Sequence, residues 1–253
     1  AGKRLGESLR VIEEVLKTAD AAAATRAEKL RYATYEAEQK IAQTLRPCLF
    51  DQVRLYVLIT ESICKQPWLQ AAAEAIAGGA DCVQLREKSL EGGELLKRAK
   101  QLVKLCRENN VLCIINDRPD IAVASGADGV HLGQEDLPAL EARKIIGSRL
   151  ILGVSTHNID QAKKAVLDSA DYIGIGPIFP SNTKSRDILP GLPFARQIAK
   201  EIKIPALAIA GITERNVDEV LSTGIKAVAV TAAVVGCDDV KGAARRLKAK
   251  LTK

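Results

Sequence analysis

Several apolar, strand-like runs in this sequence end abruptly in charged, amide or hydroxyl residues. The runs that do so lie at 82–88, 114–117, 129–136, 152–156 and 175–184. A buried strand has little use for charge at its end, because an unpaired charge is costly to remove from water. Parallel strands that all finish in polar side chains on one side form the active face of a β/α barrel. The pattern therefore predicts both the fold and the position of the chemistry.

Strand-like and helical patterns alternate along the chain from residue 54 onward. We predict strands at 54–59, 82–86, 111–116, 128–132, 150–154, 171–176, 205–210 and 226–231. The helical stretches between them lie at 67–78, 92–109, 138–146, 158–169, 192–202, 214–223 and 238–251. About eight β/α units result, as a closed (β/α)8 TIM barrel of the α/β class requires. An open doubly wound sheet is the alternative, but no glycine-rich dinucleotide fingerprint follows the first strand.

Residues 1–47 have a purely helical pattern and are predicted to form a unit separate from a barrel domain at 48–253. Apolar residues recur at helical spacing in the first stretch, at Leu5, Leu9, Ile12 and Leu16. A second stripe starts at Leu30, and Pro47 ends it. We expect an N-terminal α-helical hairpin that packs on the barrel or on another chain, so a homo-oligomer is one expected assembly.

Charge and composition limit the classes of function. The net charge of +6 suits small anionic ligands, although basic helix faces give the same value. Aromatic residues make up only 3%, which disfavours a protein that stacks nucleic-acid bases. No apolar stretch approaches the roughly 20 residues that span a bilayer, so we expect a cytoplasmic protein without membrane contact. The six cysteines form no C-x-x-C pair and are expected to be reduced thiols.

The first polar cluster contains Gln84, Arg86 and Lys88. Alternate residues of a strand share a face, so these three point together, whereas Leu85 and Glu87 point the other way. An amide, a guanidinium and an ammonium group near the barrel mouth can bind a highly charged oxyanion. A solvated, charged loop is the alternative, and the shared parity disfavours it.

The second polar cluster consists of Asn116, Asp117 and Asp136, which follow two neighbouring predicted strands. The two aspartates can converge above the strand ends. Two carboxylates with no cysteine or histidine at ligand spacing suit a hard cation such as Mg²⁺, which also binds phosphate oxygens. The alternative is that both aspartates cap the helices that follow, and the sequence leaves the choice open.

Two further segments offer contacts to phosphate. The length and prolines of 177–191 indicate a functional loop that could close over a leaving phosphate. Its hydroxyls and cation are Ser181, Thr183 and Lys184. The segments after the last two strands contain Gly211 and 230–231, where β/α barrels commonly bind a monophosphate through backbone N–H groups. Two anion sites on one mouth predict one pyrophosphate-bearing and one monophosphate-bearing substrate.

The two histidines, His131 and His157, are interpreted as structural hydrogen-bonding residues. No Ser–His–Asp or Cys–His spacing supports nucleophilic catalysis. The sequence therefore predicts a site that works through cations and hydroxyl groups.

Residues from about 54 to 251 resemble the thiamine phosphate synthase (thiamine-phosphate pyrophosphorylase) family. The motifs that carry the resemblance occur in order on successive predicted strands: QLREK at 84–88, ND at 116–117, HLGQED at 131–136, GVST at 153–156 and GPIFP at 176–180. Together they are specific, whereas any one alone is not. The family joins hydroxymethylpyrimidine pyrophosphate to a thiazole phosphate and releases pyrophosphate.

The resemblance implies a role for each matching residue. The pyrimidine pyrophosphate would be held by Gln84, Leu85, Arg86, Glu87, Lys88, Asn116, Ser155 and Lys184. Mg²⁺ would be ligated by Asp117 and Asp136. The thiazole phosphate would be received by Ser181, Thr183, Gly211, Val230 and Thr231. Charge on the departing pyrophosphate would be stabilised in catalysis by Arg86, Lys88, Ser155 and Lys184.

The chain departs from the family pattern at three positions. Ser181 stands where the family usually has threonine, and Thr231 where it usually has serine, so both hydroxyls are kept. Ala210 replaces the first of two glycines and is expected to crowd the phosphate loop. The alternatives to a synthase are a sister enzyme that tautomerises the thiazole phosphate and a non-catalytic ligand-sensing protein. The pyrophosphate-binding residues disfavour the first, and the magnesium ligands disfavour the second.

Overall fold

A computed structural model of the chain describes residues 2–44, 49–180 and 189–252. The contacts divide the chain into two compact units, Ala1–Leu49 and Phe50–Lys253. The first unit is helical, and the second contains every strand of the described residues.

The N-terminal unit is an antiparallel pair of helices, as the two apolar stripes predict. Helix α1 spans Gly2–Lys17 and helix α2 spans Ala21–Thr44. The turn between them is stabilised by the side chain of Asp20, whose Oδ1 accepts hydrogen bonds from two backbone N–H groups at the start of α2. The Glu13 carboxylate, 4% exposed, accepts a hydrogen bond from Arg31 Nε at 2.8 Å and joins the two helices.

The second unit is a closed barrel of parallel strands in sequential order, each hydrogen-bonded to the next and the last to the first. The strands are β1 Leu55–Ile59, β2 Cys82–Leu85, β3 Leu112–Asn116, β4 Gly129–Leu132, β5 Ile151–Thr156, β6 Tyr172–Ile175, β7 Ala206–Ile209 and β8 Ala227–Val230. The predicted TIM barrel is confirmed. The largest difference is in β5, which runs to Thr156 and so includes Ser155 within the strand.

The helices of the barrel unit follow the strands along the chain, and the last two of them come after β8. They are α3 Trp68–Ala77, α4 Gly92–Glu108, α5 Pro119–Ser125, α6 Ala139–Ile146, α7 Ile159–Leu167, α8 Gly191–Glu201, α9 Val217–Leu221, α10 Ala232–Val235 and α11 Val240–Leu251. The sequence pattern missed α5 and α10, because helices this short do not display a full apolar stripe. No helix among the described residues is long and apolar enough to cross a membrane.

The apolar core has two layers. Outward-facing strand residues such as Val83 and Leu85 pack against helix residues such as Leu102. Inside the barrel, Phe50 stacks on the Tyr172 ring with the centroids 3.7 Å apart, which fills the end of the barrel where β6 begins. The described cysteines are free thiols, and those on the core side of the strands and helices are fully buried: Cys82, Cys106 and Cys113. Cys48 lies outside the described residues.

An aspartate repeats at the N-terminal end of alternate strands. Asp81, Asp128 and Asp171 directly precede β2, β4 and β6. Each carboxylate accepts a hydrogen bond from a backbone N–H near the start of the strand before it: Leu55 at 2.9 Å, Cys113 at 2.8 Å and Leu152 at 2.8 Å. These carboxylates thus provide acceptors for backbone N–H groups near the strand starts. They stabilise the end of the barrel opposite the polar clusters.

Candidate active site

An ion pair joins two of the polar clusters at the C-terminal end of the barrel. Lys88 Nζ lies 2.9 Å from Asp117 Oδ2, so the loop after β2 contacts the loop after β3. The backbone of Asp117 continues the ladder beyond β3, donating to the His131 carbonyl at 2.8 Å. Its φ of 61° is in the left-handed region, which costs energy for a residue other than glycine. The chain thus holds this carboxylate in place at the expense of backbone strain.

Asp136 is the partner carboxylate of Asp117. Its Oδ2 accepts a hydrogen bond from the backbone N–H of Gly133 at 2.6 Å, which fixes the loop after β4. Burial is the main cause that raises the pKa of Asp136, and the adjacent Asp117 side chain raises this pKa further. A carboxylate whose ionised form is disfavoured in this way would be stabilised by a bound cation.

The helix-cap interpretation of these aspartates is wrong. Helix α5 begins at Pro119 with Arg118 at its N-cap position, and α6 begins at Ala139 with Pro138 at its N-cap position. Neither aspartate occupies a cap: the Asp117 carboxylate pairs with Lys88, and the Asp136 carboxylate accepts from the Gly133 N–H.

The site offers few protein ligands to a metal. No group of three or more histidine, cysteine, aspartate and glutamate side chains converges among the described residues. A pair of carboxylates nevertheless fits Mg²⁺, which commonly takes one or two protein carboxylates and completes its octahedron with water and substrate phosphates. Asp117 and Asp136, with the raised pKa of Asp136, therefore form a carboxylate pair of the kind that Mg²⁺ binds.

A buried hydrogen-bond network runs from Gln84 to Ser155 through the barrel interior. Gln84 Nε2 donates to the Tyr56 hydroxyl at 2.8 Å, and this hydroxyl lies 3.2 Å from that of Tyr172. His131 Nδ1 lies 2.9 Å from the Tyr172 hydroxyl, and its Nε2 lies 2.9 Å from Ser155 Oγ. Two predicted substrate-binding residues, Gln84 and Ser155, are thereby connected across five strands. We call these five residues the interior network.

Burial lowers the pKa of His131 to about 4, with a smaller opposing effect from Asp136. The imidazole is therefore neutral near pH 7, with one nitrogen as donor and the other as acceptor. The interpretation of His131 as a hydrogen-bonding residue agrees with this geometry. His157 also makes a hydrogen bond, since its Nδ1 lies 2.6 Å from the Gly176 carbonyl oxygen.

Gln84 and Leu85, the two residues of the QLREK motif that lie in β2, point to opposite faces of the strand, as parity predicts. The side chain of Gln84 is 2% exposed and faces the interior, whereas Leu85 is buried on the outer side among the helices. The Leu85 side chain is therefore not brought to the mouth. Glu87 Oε1 accepts a hydrogen bond from the Glu61 backbone N–H at 2.6 Å, which ties the loops after β1 and β2 together. Arg86 is half-buried beyond the end of β2.

The segments after β6 and β7 pack against each other on the other side of the mouth. The N–H groups of Ile178 and Phe179 donate to the carbonyls of Ile209 and Ala210 at 3.0 and 3.1 Å. A side chain at Gly211 would collide with the Pro180 carbonyl oxygen at 2.5 Å, so only glycine fits there. The left-handed φ of 80° at Ala210 explains why glycine suits that position too.

The remaining predicted residues differ in how far the structure describes them. Asn116 ends β3 opposite His131, and Val230 ends β8 with Thr231 directly before α10. Ser181, Thr183 and Lys184 lie outside the described residues. Sequence reasoning missed Tyr56 and Tyr172, which are the third residue of the predicted strand 54–59 and the second residue of the predicted strand 171–176. Both point to the barrel interior, as the other residues of the network do. The nearby strand glycines, Gly153 and Gly174, were a second signal.

The fold and the site define a (β/α)8-barrel protein with a charged, carboxylate-bearing mouth. The family model described as thiamine monophosphate synthase matches residues 55–234. The chain belongs to the thiamine monophosphate synthase family. A second family model, described as the ThiD2 family, matches residues 1–40.

Named relatives support this assignment. The chain is 43% identical over 251 residues to a thiamine-phosphate synthase from Rhodopirellula baltica, covering 94% of this chain and 66% of the relative. It is 44% identical over 191 residues to a thiamine-phosphate synthase from Halalkalibacterium halodurans, covering 75% of this chain and 90% of the relative. The solved thiamine phosphate pyrophosphorylase from Pyrococcus furiosus superposes with a TM-score of 0.75 at 37% identity, over 81% of this chain and 98% of the other.

Proposed function

We propose that this chain is a transferase that joins hydroxymethylpyrimidine pyrophosphate to thiazole phosphate, forming thiamine phosphate and pyrophosphate. The observation that carries the proposal is the charged cluster of Lys88, Asp117 and Asp136 at the mouth of a barrel of this family. A monophosphate substrate alone would not require this cluster. The names of the relatives agree with the proposed product.

The bond changes balance without an external oxidant or base. The carbon–oxygen bond between the pyrimidine methylene and pyrophosphate breaks, and the pyrophosphate leaves with the bonding electrons. The electron-rich pyrimidine carries the transient methylene cation, and the thiazole nitrogen donates its lone pair to form the new carbon–nitrogen bond. No proton has to be abstracted, which suits a site whose described part has no histidine positioned as a base.

The leaving group is negatively charged, so this half of the site needs positive charge. Arg86, Lys88 and Lys184 would stabilise the charge that develops on pyrophosphate, and Ser155 would donate a hydrogen bond to it. Asp117 and Asp136 would hold Mg²⁺, which when bound supplies positive charge to the phosphate oxygens. Until substrate binds, the Asp117 carboxylate keeps Lys88 at the mouth by the ion pair at 2.9 Å.

The nucleophile would be held by the other half of the mouth. Gly211 lets the backbone approach a phosphate closely, because it has no side chain to obstruct the ligand. The backbone at Val230 and Thr231, with the hydroxyls of Ser181 and Thr183, would supply hydrogen-bond donors to the thiazole phosphate. A cytoplasmic location and a homo-oligomeric state stay predictions from the sequence.

The proposal is tested by the stoichiometry of the products. We expect the purified full chain, given both substrates and Mg²⁺, to form thiamine phosphate and pyrophosphate in equal amounts. Omitting either substrate should abolish both products. Tautomerised thiazole phosphate as the only product would support the sister activity instead, and tight binding without any product would support a sensing protein.

A further inference from the structure

We propose that Tyr56, Tyr172 and His131 are positioning residues that fix the hydroxyl of Ser155 as a hydrogen-bond donor toward an anionic substrate. The anionic substrate rests on the proposed function, whereas the direction of the interior network follows from its own donors and acceptors. The network begins at the side-chain amide of Gln84 and ends at Ser155.

The direction is set at the Gln84 end. The amide nitrogen is only a donor, so the Tyr56 hydroxyl oxygen accepts from it at 2.8 Å. The hydroxyl proton of Tyr56 then goes to Tyr172, whose oxygen lies at 3.2 Å. Tyr172 in turn has its own proton left to donate to His131 Nδ1 at 2.9 Å. Each hydroxyl accepts one hydrogen bond and passes one on.

The imidazole of His131 continues the same order of donors and acceptors to Ser155. A neutral imidazole that accepts at Nδ1 carries its proton on Nε2. The Nε2–H therefore donates to Ser155 Oγ at 2.9 Å. The hydroxyl proton of Ser155 has no acceptor within the described part of the chain, and it is left to donate to a ligand at the mouth.

The reverse direction fails at the amide. If Ser155 donated to His131, the imidazole would donate to Tyr172 and Tyr172 to Tyr56. The Tyr56 proton would then face the donating amide of Gln84, which leaves a buried hydroxyl proton without a partner. A buried polar group without a partner is destabilising, so the amide orientation of Gln84 selects the direction.

The barrel is built around these side chains. A side chain at Gly153 would overlap the Tyr172 ring and its hydroxyl, and one at Gly174 would lie 3.2 Å from Cε1 of His131. The Tyr172 ring also stacks on Phe50, so its hydroxyl has little freedom to leave the network. Both tyrosines are at most 2% exposed. The interior network is thus rigid enough for the hydrogen-bond direction set at Gln84 to hold as far as Ser155.

The consequence is chemical selectivity at Ser155. A hydroxyl that accepts from Nε2–H and donates outward is suited to a phosphate oxygen, which can only accept. Hydrogen bonds to a charged acceptor are also roughly twice as strong as neutral ones. A hydroxyl fixed as an acceptor would instead repel the same ligand.

Nuclear magnetic resonance of the ¹⁵N-histidine-labelled full chain tests the direction without any substrate. The chain has only two histidines, and His157 is an internal reference, since its Nδ1 faces a carbonyl oxygen and must carry the proton. We expect His131 to show the Nε2–H tautomer alone near pH 7. The Nδ1–H tautomer at His131 would overturn the proposal.

Tyr172→Phe tests transmission, because it removes the hydroxyl that donates to His131 Nδ1 and leaves an aromatic ring to stack on Phe50. We expect a second tautomer of His131 to become detectable in this variant. Tyr32→Phe, at an exposed tyrosine of the hairpin, is the matched control and should leave the spectrum unchanged. A single unchanged tautomer in Tyr172→Phe would contradict transmission, and the tautomer of the wild type still tests the direction if this variant does not fold.

A double-mutant cycle tests whether the tyrosines act through Ser155. We expect Tyr172→Phe to lower kcat about tenfold, and to have little further effect when Ser155→Ala is already present. If the two substitutions lower kcat by factors that simply multiply in the double variant, the tyrosine has a general structural role and the positioning claim is overturned. If no thiamine phosphate forms at all, the proposed function fails, and the tautomer measurements still decide the direction of the network.

Discussion

Ala210 is the residue at which this chain departs from its family with a visible structural consequence. Its φ of 80° is in the left-handed region, where a β-carbon costs about 1–2 kcal/mol relative to glycine. The strained peptide lies where the segment after β7 contacts that after β6, next to Gly211. The chain therefore keeps an alanine at a position that prefers glycine.

Ala210→Gly is expected to raise the free energy of unfolding by about 1 kcal/mol, because it removes this strain. Chemical denaturation of both proteins measures the difference. Ala249→Gly, at an exposed position of helix α11, is the matched control and should lower stability by up to about 1 kcal/mol. Equal destabilisation in the two variants would contradict the strained conformation.

His131 makes a prediction about pH. Its folded pKa of about 4 is depressed from the ordinary 6.5, so the unfolded chain binds a proton that the folded chain excludes. The stability that this group contributes is complete above pH 6.5 and is lost as the pH falls toward 4.

Unfolding free energies of the wild type and His131→Gln, measured across this pH range, isolate the contribution. We expect the wild type to lose more stability than the variant on acidification. Parallel curves would show that His131 is not kept neutral by its surroundings.

Among the secondary-structure elements, the residues before the strands and those after the strands have different roles. The aspartates that precede β2, β4 and β6 secure strand starts, whereas the polar residues after β2, β3 and β4 form the charged mouth. The same residue type therefore stabilises one end and is available for ligands at the other, as is general for this barrel. The repeated Ala-Asp pair at 80–81, 127–128 and 170–171 was visible in the sequence.

Asp128→Ala tests the structural end. It removes the acceptor of the Cys113 N–H in buried strand β3, so we expect a loss of about 1–3 kcal/mol in unfolding free energy. Turnover per folded molecule should stay near that of the wild type. Asp51→Ala, at an exposed aspartate, is the control for stability. A large fall in turnover with unchanged stability would assign Asp128 to the site instead.

For the whole molecule, alternation of strand and helix patterns was enough to predict the closed barrel, because each β/α unit is a local pattern. The charged mouth was predictable for the same reason, since Lys88 and Asp117 directly follow their strands. The interior network was not, because Tyr56 and Tyr172 are 116 residues apart and meet only when the barrel closes. Likewise, the alternative that Asp117 caps a helix could be rejected only from the structure, in which α5 begins at Pro119.

We propose that the carboxylate pair at the mouth serves the release of pyrophosphate rather than the fold. Turnover to thiamine phosphate in Asp117→Asn, with saturating substrates and Mg²⁺, distinguishes these two roles. Asp218→Asn removes another ion-paired aspartate, on helix α9, and serves as the matched control. We predict that Asp117→Asn lowers kcat about a hundredfold or more with unfolding free energy little changed, while the control stays close to the wild type. Wild-type turnover in Asp117→Asn would contradict the account.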